Sequence, residues 1–155
     1  MKRLIPIILT ILSVSFLSCS VNEDEMAYDY DGNIYFTVSF DSATAYDDYQ
    51  GFRLYMMSEE TFSCFNYEIK FIDNYSDGDL ALHILDVMLE GPCATALGPV
   101  RKKVPIQTGS EEFDLYFYNA GDRDRYHVIL SGDSAVVTAD DTSFTRFYPP
   151  AAFPR

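Results

Sequence analysis

Residues 65–72, Phe-Asn-Tyr-Glu-Ile-Lys-Phe-Ile, show the clearest two-residue repeat in the chain. Phe65, Tyr67, Ile69 and Phe71 alternate with polar residues over most of this stretch. Since successive side chains of a strand point to opposite faces, this pattern puts the apolar residues on one face and the polar ones on the other. The stretch therefore predicts a β-strand with one buried face.

The same alternation recurs on both sides of this stretch. It predicts strands over 34–40, 52–57, 113–118, 126–130 and 135–138, with a short last strand over 144–148. Polar segments separate them as loops or turns over 41–50, 73–79, 119–124 and 131–134. Val104-Pro105-Ile106 is predicted to be an edge strand, because a proline nitrogen donates no hydrogen bond to a neighbour.

Residues 80–89, Leu-Ala-Leu-His-Ile-Leu-Asp-Val-Met-Leu, are apolar at most positions and leave two interpretations open. Asp79 is suited to cap a helix here, and Gly91-Pro92 is suited to end one. A central strand that pairs with 65–72 would also be apolar on both faces. Because its neighbours are predicted strands, we favour the strand. Residues 90–100 contain two Gly-Pro pairs and are predicted to form a loop or crossover.

Short strands separated by polar turns are typical of an antiparallel sandwich. We therefore predict an all-β fold over residues 33–155, a single antiparallel β-sandwich of about seven to eight strands, Ig-like or transthyretin-like in general architecture. The 155 residues have the length of one domain, and they contain no internal repeat.

The first 20 residues, MKRLIPIILTILSVSFLSCS, have the features of a bacterial export signal. Lys2 and Arg3 precede an apolar run over 4–17 that is short for a membrane span. Phe16-Leu17-Ser18-Cys19 resembles the lipobox of bacterial lipoproteins, whose cysteine becomes lipid-modified, although Phe16 stands where leucine is usual. An uncleaved anchor helix and an ordinary secretory signal are the alternatives.

The lipobox resemblance implies a signal peptide over 1–18, lipidation of Cys19 and an acidic tether over 19–32. Residues 20–25, Ser-Val-Asn-Glu-Asp-Glu, resemble the signal that directs many Bacteroidota lipoproteins to the outer face of the outer membrane. A solvated linker would have the same composition. The expected location is the outer membrane, either exposed at the cell surface or facing the periplasm.

The net charge and the number of cysteines limit the classes of partner and of site that the sequence allows. A formal net charge of −13 argues against nucleic acid and anionic lipid surfaces, so the lipid anchor is the expected membrane contact. With Cys19 assigned to lipid, Cys64 and Cys93 remain in an oxidising compartment, and we predict that they form a disulfide. The chain has no C-x-x-C motif and two histidines, so we predict no metal site and no cofactor.

A second resemblance covers roughly residues 64–137. It consists of Cys93-Ala-Thr-Ala-Leu-Gly-Pro after an apolar strand, an earlier strand cysteine at Cys64, and the late strand Arg125-Tyr126-His127-Val128. These features are similar to a group of small β-sandwich lipoproteins from Bacteroidota. The resemblance implies the fold and the envelope location, and it implies no catalytic residue.

Candidate catalytic and metal-binding residues are few. Gly132-Asp133-Ser134-Ala135 is similar to the Gly-Asp-Ser sequence of some serine hydrolases, but these residues are also ordinary at a strand reversal. His83 and His127 could act as bases or ligands, whereas a lone strand histidine is more often structural. Asp73–Asp79 lacks the third and twelfth ligands of a calcium loop. We therefore expect no enzymatic activity.

Four tyrosines fall on the less apolar faces of their strands: Tyr35, Tyr55, Tyr116 and Tyr118. Exposed together, they would form a platform for a sugar or a peptide. Packing under a loop or in cross-strand pairs is the alternative. Ser42 and Ser134, each followed by alanine and preceded by aspartate, resemble the O-glycosylation sites of exported Bacteroidota proteins.

The expected role is non-catalytic, as a binding or structural accessory protein of the envelope with a glycan or protein ligand. The alternatives are a protein-partner module, such as an inhibitor or assembly subunit that acts through loops like 90–100, and an envelope hydrolase. Contiguous exposed tyrosines on one sheet would favour ligand binding. A flat polar face with projecting loops would favour the protein partner, and histidines that converge with carboxylates would favour the hydrolase.

Overall fold

The computed structural model describes residues 30–44, 46–64, 66–93 and 95–154. The predicted signal peptide, Cys19 and the tether before Tyr30 lie outside these residues. The described residues form nine strands: β1 (Ile34–Asp41), β2 (Gly51–Cys64), β3 (Tyr67–Ser76), β4 (Asp79–Leu89), β5 (Thr95–Pro105), β6 (Glu112–Asn119), β7 (Asp122–Ser131), β8 (Ser134–Asp141) and β9 (Thr145–Phe147). Within these ranges, no helix is long and apolar enough to cross a membrane.

Two sheets pack face to face and confirm the predicted all-β sandwich. The four-stranded sheet has the order β5-β2-β1-β9, and the five-stranded sheet has the order β3-β4-β6-β7-β8. The prediction of purely antiparallel sheets was wrong, because β1 pairs with β9 and β4 pairs with β6 in parallel. Each parallel pair forms where the chain leaves a sheet and later returns to it, a feature that side-chain periodicity does not report.

Residues 80–89 form a central strand, as favoured from the sequence. β4 pairs with β3 on one side and with β6 on the other, so the backbone groups of the strand can be paired at both edges. Leu80, Leu82 and Ile84 point into the sandwich and are completely buried. This burial explains why the sequence of β4 contains few polar residues.

The predicted loop over 90–100 was wrong in its second half, where β5 begins at Thr95. β5 is an edge strand, as Pro105 predicted, and an edge tolerates residues that cannot donate to a neighbour on both sides. Pro99 pairs with Thr61 of β2 next to a register shift in the β2–β5 ladder. Such an irregularity lets a Gly-Pro pair remain within a strand.

The predicted turn over 73–79 is also shorter than expected. β3 continues to Ser76 and β4 starts at Asp79, so Asp77 and Gly78 alone make the turn. Their φ angles are 54° and 94°, and a two-residue hairpin turn with positive φ at both positions favours Asp-Gly. The acidic stretch is therefore a tight hairpin that holds its flanking residues on two paired strands.

The core lies between the inner faces of the two sheets and contains a cluster of aromatic rings. Phe36 of β1 lies 4.7 Å from Tyr126 and 4.8 Å from Phe117, measured between ring centres. Tyr30 is also buried, and its backbone N–H donates to the carbonyl of Leu85 at 3.2 Å. The folded part thus includes Tyr30, a residue of the predicted tether.

Cys64 ends β2, and Cys93 lies shortly before β5. Their Cα atoms are 5.2 Å apart and the two sulfurs are at bonding distance, as the disulfide prediction requires. The pair closes a loop with a sequence separation of 29 that contains all of β3 and β4. The bridge therefore links the four-stranded sheet to the connection that leads out of the five-stranded sheet.

Tyr126 predicts a loss of stability at alkaline pH. Burial raises the pKa of its hydroxyl to about 12, and that hydroxyl donates to the Thr145 carbonyl at 2.9 Å. The folded state keeps this proton while the unfolded state loses it near pH 10, so stability falls between about pH 10 and 12. We expect Tyr126→Phe to cost about 1 kcal/mol at pH 7 and to flatten the alkaline decline, measured by urea unfolding at several pH values. An unchanged pH slope in this variant would contradict the assignment.

Candidate functional site

The four tyrosines singled out from the sequence lie on opposite faces of the sandwich. Tyr35 and Tyr55 lie on the outer face of the four-stranded sheet, because their strand neighbours point into the core. Tyr116 and Tyr118 lie on the outer face of the five-stranded sheet for the same reason. The structure therefore forms two separate tyrosine pairs, and the four rings do not share one platform.

A depression lies beside Tyr116 and Tyr118 because a small residue is surrounded by larger ones. Ala81 of β4 pairs with Asn74 of β3 on one side and with Tyr116 of β6 on the other. The alanine methyl group leaves a hollow of about 220 Å³ between its neighbours. The hollow is lined by Asn74, Ser76, Asp77, Asp79, Ala81, His83, Tyr116 and Tyr118.

His83 fixes the ring of Tyr118. The two residues are register partners on β4 and β6, and their rings stack with centres 4.6 Å apart and planes 10° from parallel. His83 is 4 % exposed, so its ring forms part of the wall and presents little surface to solvent. The stacking gives the hollow an aromatic side whose orientation is set before any ligand arrives.

A charged network fixes Tyr116. The carboxylate of Asp114 accepts hydrogen bonds from Arg125 Nη2 at 2.6 Å, His127 Nδ1 at 3.1 Å and the Tyr116 hydroxyl at 3.3 Å. Burial raises the pKa of Asp114, but the bonds from His127 and Arg125 outweigh that effect and hold it below its usual value. The guanidinium carbons of Arg123 and Arg125 lie 6.0 and 5.8 Å from the Tyr116 ring centre.

The two histidines do not converge. His83 lies beside Tyr118, whose partner on β7 is Arg123, and His127 lies four residues further along β7. At the rise of a strand, these four residues span about 13 Å. Each histidine thus contacts a different part of the face, and the two do not form a shared acid–base centre.

Gly132 and Asp133 form the reversal between β7 and β8, Ser134 is the first residue of β8, and its hydroxyl donates to Asp133 at 3.3 Å. Ser42 and Ser134, the candidate glycosylation sites, are both exposed and line the same groove of about 410 Å³. In the part of the chain that the structure describes, no three His, Cys, Asp or Glu side chains are grouped to hold a metal ion. O-glycosylation of these serines stays a prediction.

Five residues that line the hollow are not predicted from the sequence to form part of a binding site: Asn74, Ser76, Asp77, Asp79 and Ala81. They meet Tyr116 only through the β3–β4–β6 strand order. The Asp-Gly hairpin was the available signal, because a two-residue turn fixes the register that places Asn74 opposite Ala81. The parallel pairing of β4 with β6 had no such local signal.

Searches for a matching family model, curated protein or solved structure find none for this chain. The function must therefore be inferred from the chemistry of the protein's own surface.

Proposed function

We propose that this protein is a lipid-anchored, non-catalytic binding protein of the bacterial cell envelope, and that it binds a neutral glycan. The hollow on the outer face of the five-stranded sheet carries the proposal. There, the rings of Tyr116 and Tyr118 lie beside Ala81, which forms the bottom of the hollow. The side chains of Asn74 and Asp79 line it as well and can form hydrogen bonds. Concave sites with aromatic walls and a few placed polar groups are typical of small-ligand recognition.

A sugar ring matches these groups. The carbon-bound hydrogens of a pyranose form an apolar face that can stack on Tyr116 or Tyr118, whose π-faces are negative. The carboxamide of Asn74 can donate and accept, and the carboxylate of Asp79 can accept from neighbouring hydroxyls. Asp79 already accepts from the Asp114 backbone N–H at 2.9 Å, which orients its carboxylate.

The charge near the hollow favours an uncharged ligand. Asp77 and Asp79 line it, Arg123 and Arg125 lie near the Tyr116 ring but outside the lining, with Arg125 paired to Asp114, and the whole chain carries a net charge of −13. An acidic glycan would meet like charge at the site and in the long-range field, which lowers both its affinity and its rate of association. Neutral hexose or pentose polymers avoid this repulsion.

The envelope location follows from the lipobox resemblance at Cys19 and the acidic residues behind it. A ligand-binding role is favoured over a loop-mediated protein contact because β5 starts at Thr95, which leaves little loop after Cys93 to project. A hydrolase is disfavoured because His83 and His127 do not converge, both ring nitrogens of His127 face carboxylates rather than a nucleophile, and the Ser134 hydroxyl donates to Asp133. The sandwich would therefore hold polymer at the cell surface without cleaving it.

Tyr116→Ala is expected to weaken glycan binding about ten-fold, because it removes the stacking surface. Ala81→Leu should abolish binding by filling the hollow. The measurement is calorimetric titration of the full chain in detergent with maltohexaose, cellohexaose, mannohexaose and xylohexaose. Tyr35→Ala, on the opposite face, is the control and should bind normally.

Two results would contradict the proposal. One is that none of the four hexaoses binds. The other is that a hexaose binds equally well to the Tyr116→Ala and Ala81→Leu variants, because the binding surface would then lie elsewhere.

A further inference from the structure

The C-terminal segment, residues 148–154, crosses the outer face of the four-stranded sheet. The Tyr148 backbone N–H donates to the Phe36 carbonyl at 2.8 Å. Further along, Arg101 Nη1 donates to the Pro154 carbonyl at 3.2 Å. These contacts hold both ends of the segment, and between the segment and the sheet lies a groove of about 390 Å³.

The groove has an aromatic interior and a cationic side. The Tyr55 ring lines it from the sheet, and Phe153 and Pro150 line it from the C-terminal segment. Lys103 Nζ lies 5.3 Å from the centre of the Tyr55 ring, and Arg101 lies along the same strand. The Tyr55 hydroxyl donates to Asp41, which fixes the ring.

Thr37 adds a polar group that lacks a partner. It lines the groove, it is 3 % exposed, and its Oγ1 has no hydrogen-bond partner among the described residues. A buried hydroxyl without a partner destabilises the folded state. Oγ1 itself has almost no exposed surface, so a ligand in the groove leaves it unpaired.

The local charge is opposite to that of the whole chain. Arg101, Lys102 and Lys103 line the groove, and Asp41 is the one acidic residue among the described lining residues. Lys102 Nζ is paired with Glu68 of the other sheet at 3.2 Å, so Arg101 and Lys103 supply the positive charge in the groove. The net charge of −13 repels an anion at long range, and the local excess of positive charge at the groove offsets this repulsion. The cluster therefore favours an anionic ligand at this position.

We propose that this groove binds a small organic carboxylate with an aromatic or aliphatic body. The carboxylate lies against Arg101 and Lys103, and the body lies between Tyr55 and Phe153. The volume is within the range of small-molecule sites. The groove and the glycan hollow lie on opposite faces of the sandwich, so either proposal can fail without the other.

The test compares two probes that differ in charge alone. The full chain in detergent is titrated with 4-phenylbutyrate and with its neutral analogue 4-phenylbutanamide, and binding is followed by calorimetry. We expect the carboxylate to bind about ten-fold more tightly than the amide. Lys103→Gln should remove most of this difference, whereas Lys70→Gln, on the other sheet, should leave it unchanged.

Two further variants separate binding from folding. Phe153→Ala should weaken both probes, because it removes one side of the groove. Thr37→Val should slightly raise the stability of the free protein, because Oγ1 lacks a partner, and should leave the affinity for 4-phenylbutyrate unchanged. Equal affinity for the two probes, no binding of either, or binding that Lys103→Gln and Phe153→Ala leave unchanged would overturn the proposal.

Discussion

Asp124→Ala is expected to lower the free energy of unfolding by about 3–5 kcal/mol, the largest effect we expect from a single substitution. The Asp124 carboxylate is completely buried on β7. It accepts from the backbone N–H groups of Ser143, Phe144 and Thr145 at 2.6, 3.1 and 2.6 Å. It also accepts from the hydroxyls of Ser143 and Thr145 at 2.8 and 2.5 Å.

The substitution leaves these five donors without their acceptor, and a buried donor without a partner is more costly than the bond itself is stabilising. Asp124→Asn should also destabilise, because its amide group turns a donor toward backbone N–H groups. Urea unfolding measures both variants, with Asp122→Ala at the exposed first position of β7 as the control. A loss below 1 kcal/mol for Asp124→Ala would show that the carboxylate does not hold β9.

The Asp124 carboxylate also connects the two sheets, because it lies on β7 and bonds to Thr145 of β9. The residues it binds lead directly into β9, which pairs with β1 and continues into segment 148–154. Residues 148–154 cover the groove that Tyr55 and Phe153 line. We therefore expect the position of this wall to depend on Asp124, a buried residue of the other sheet. Asp124→Ala should therefore loosen the groove in addition to destabilising the fold.

Removing the Cys64–Cys93 bridge is expected to have the second largest effect, a loss of about 3–4 kcal/mol. In the chain-entropy account, opening a loop with a sequence separation of 29 gives the unfolded chain more conformations. The double variant Cys64→Ala/Cys93→Ala is compared with the parent by urea unfolding, with and without reductant. Reductant should destabilise the parent and leave the double variant unchanged.

The intact mass of the parent protein, purified from bacterial membranes, shows the state of its cysteines. We expect alkylation of Cys64 and Cys93 after reduction and not before, and a chain that starts at Cys19 with added acyl mass. Two free thiols without reductant would contradict the bridge. An unacylated chain would remove the basis for the anchor and the envelope location.

The alternation of apolar and polar residues predicts most of the strands, because each strand with one buried face shows this alternation in its own sequence. The alternation in 113–118 corresponds to β6, in which Leu115 and Phe117 are buried and Tyr116 faces outward. Residues 95–100 show no such alternation, so the sequence predicts a loop there, whereas these residues belong to the edge strand β5. Gly98 and Pro99 are tolerated there by the irregular pairing of β5 with β2, which depends on tertiary context.

The candidate sites were less predictable than the strands. Tyr116 was identified, but the hollow beside it depends on Ala81 of β4, and no local pattern joins these two strands. The groove under residues 148–154 depends on Phe153, which is far along the chain from Tyr55 and Lys103 on the sheet side of the groove. Such contacts are fixed by strand order and by single buried polar groups, and neither leaves a periodic trace in the sequence.

The measurement that tests the central claim most directly is a two-dimensional NMR titration of the isotope-labelled full chain with whichever neutral hexaose binds most tightly. The account predicts that backbone signals of Asn74, Ala81, Tyr116 and Tyr118 shift together, while those of Tyr35 and Tyr55 on the opposite face stay in place. Shifts confined to another surface, or no shift with any of the four hexaoses, would contradict glycan binding on the five-stranded sheet.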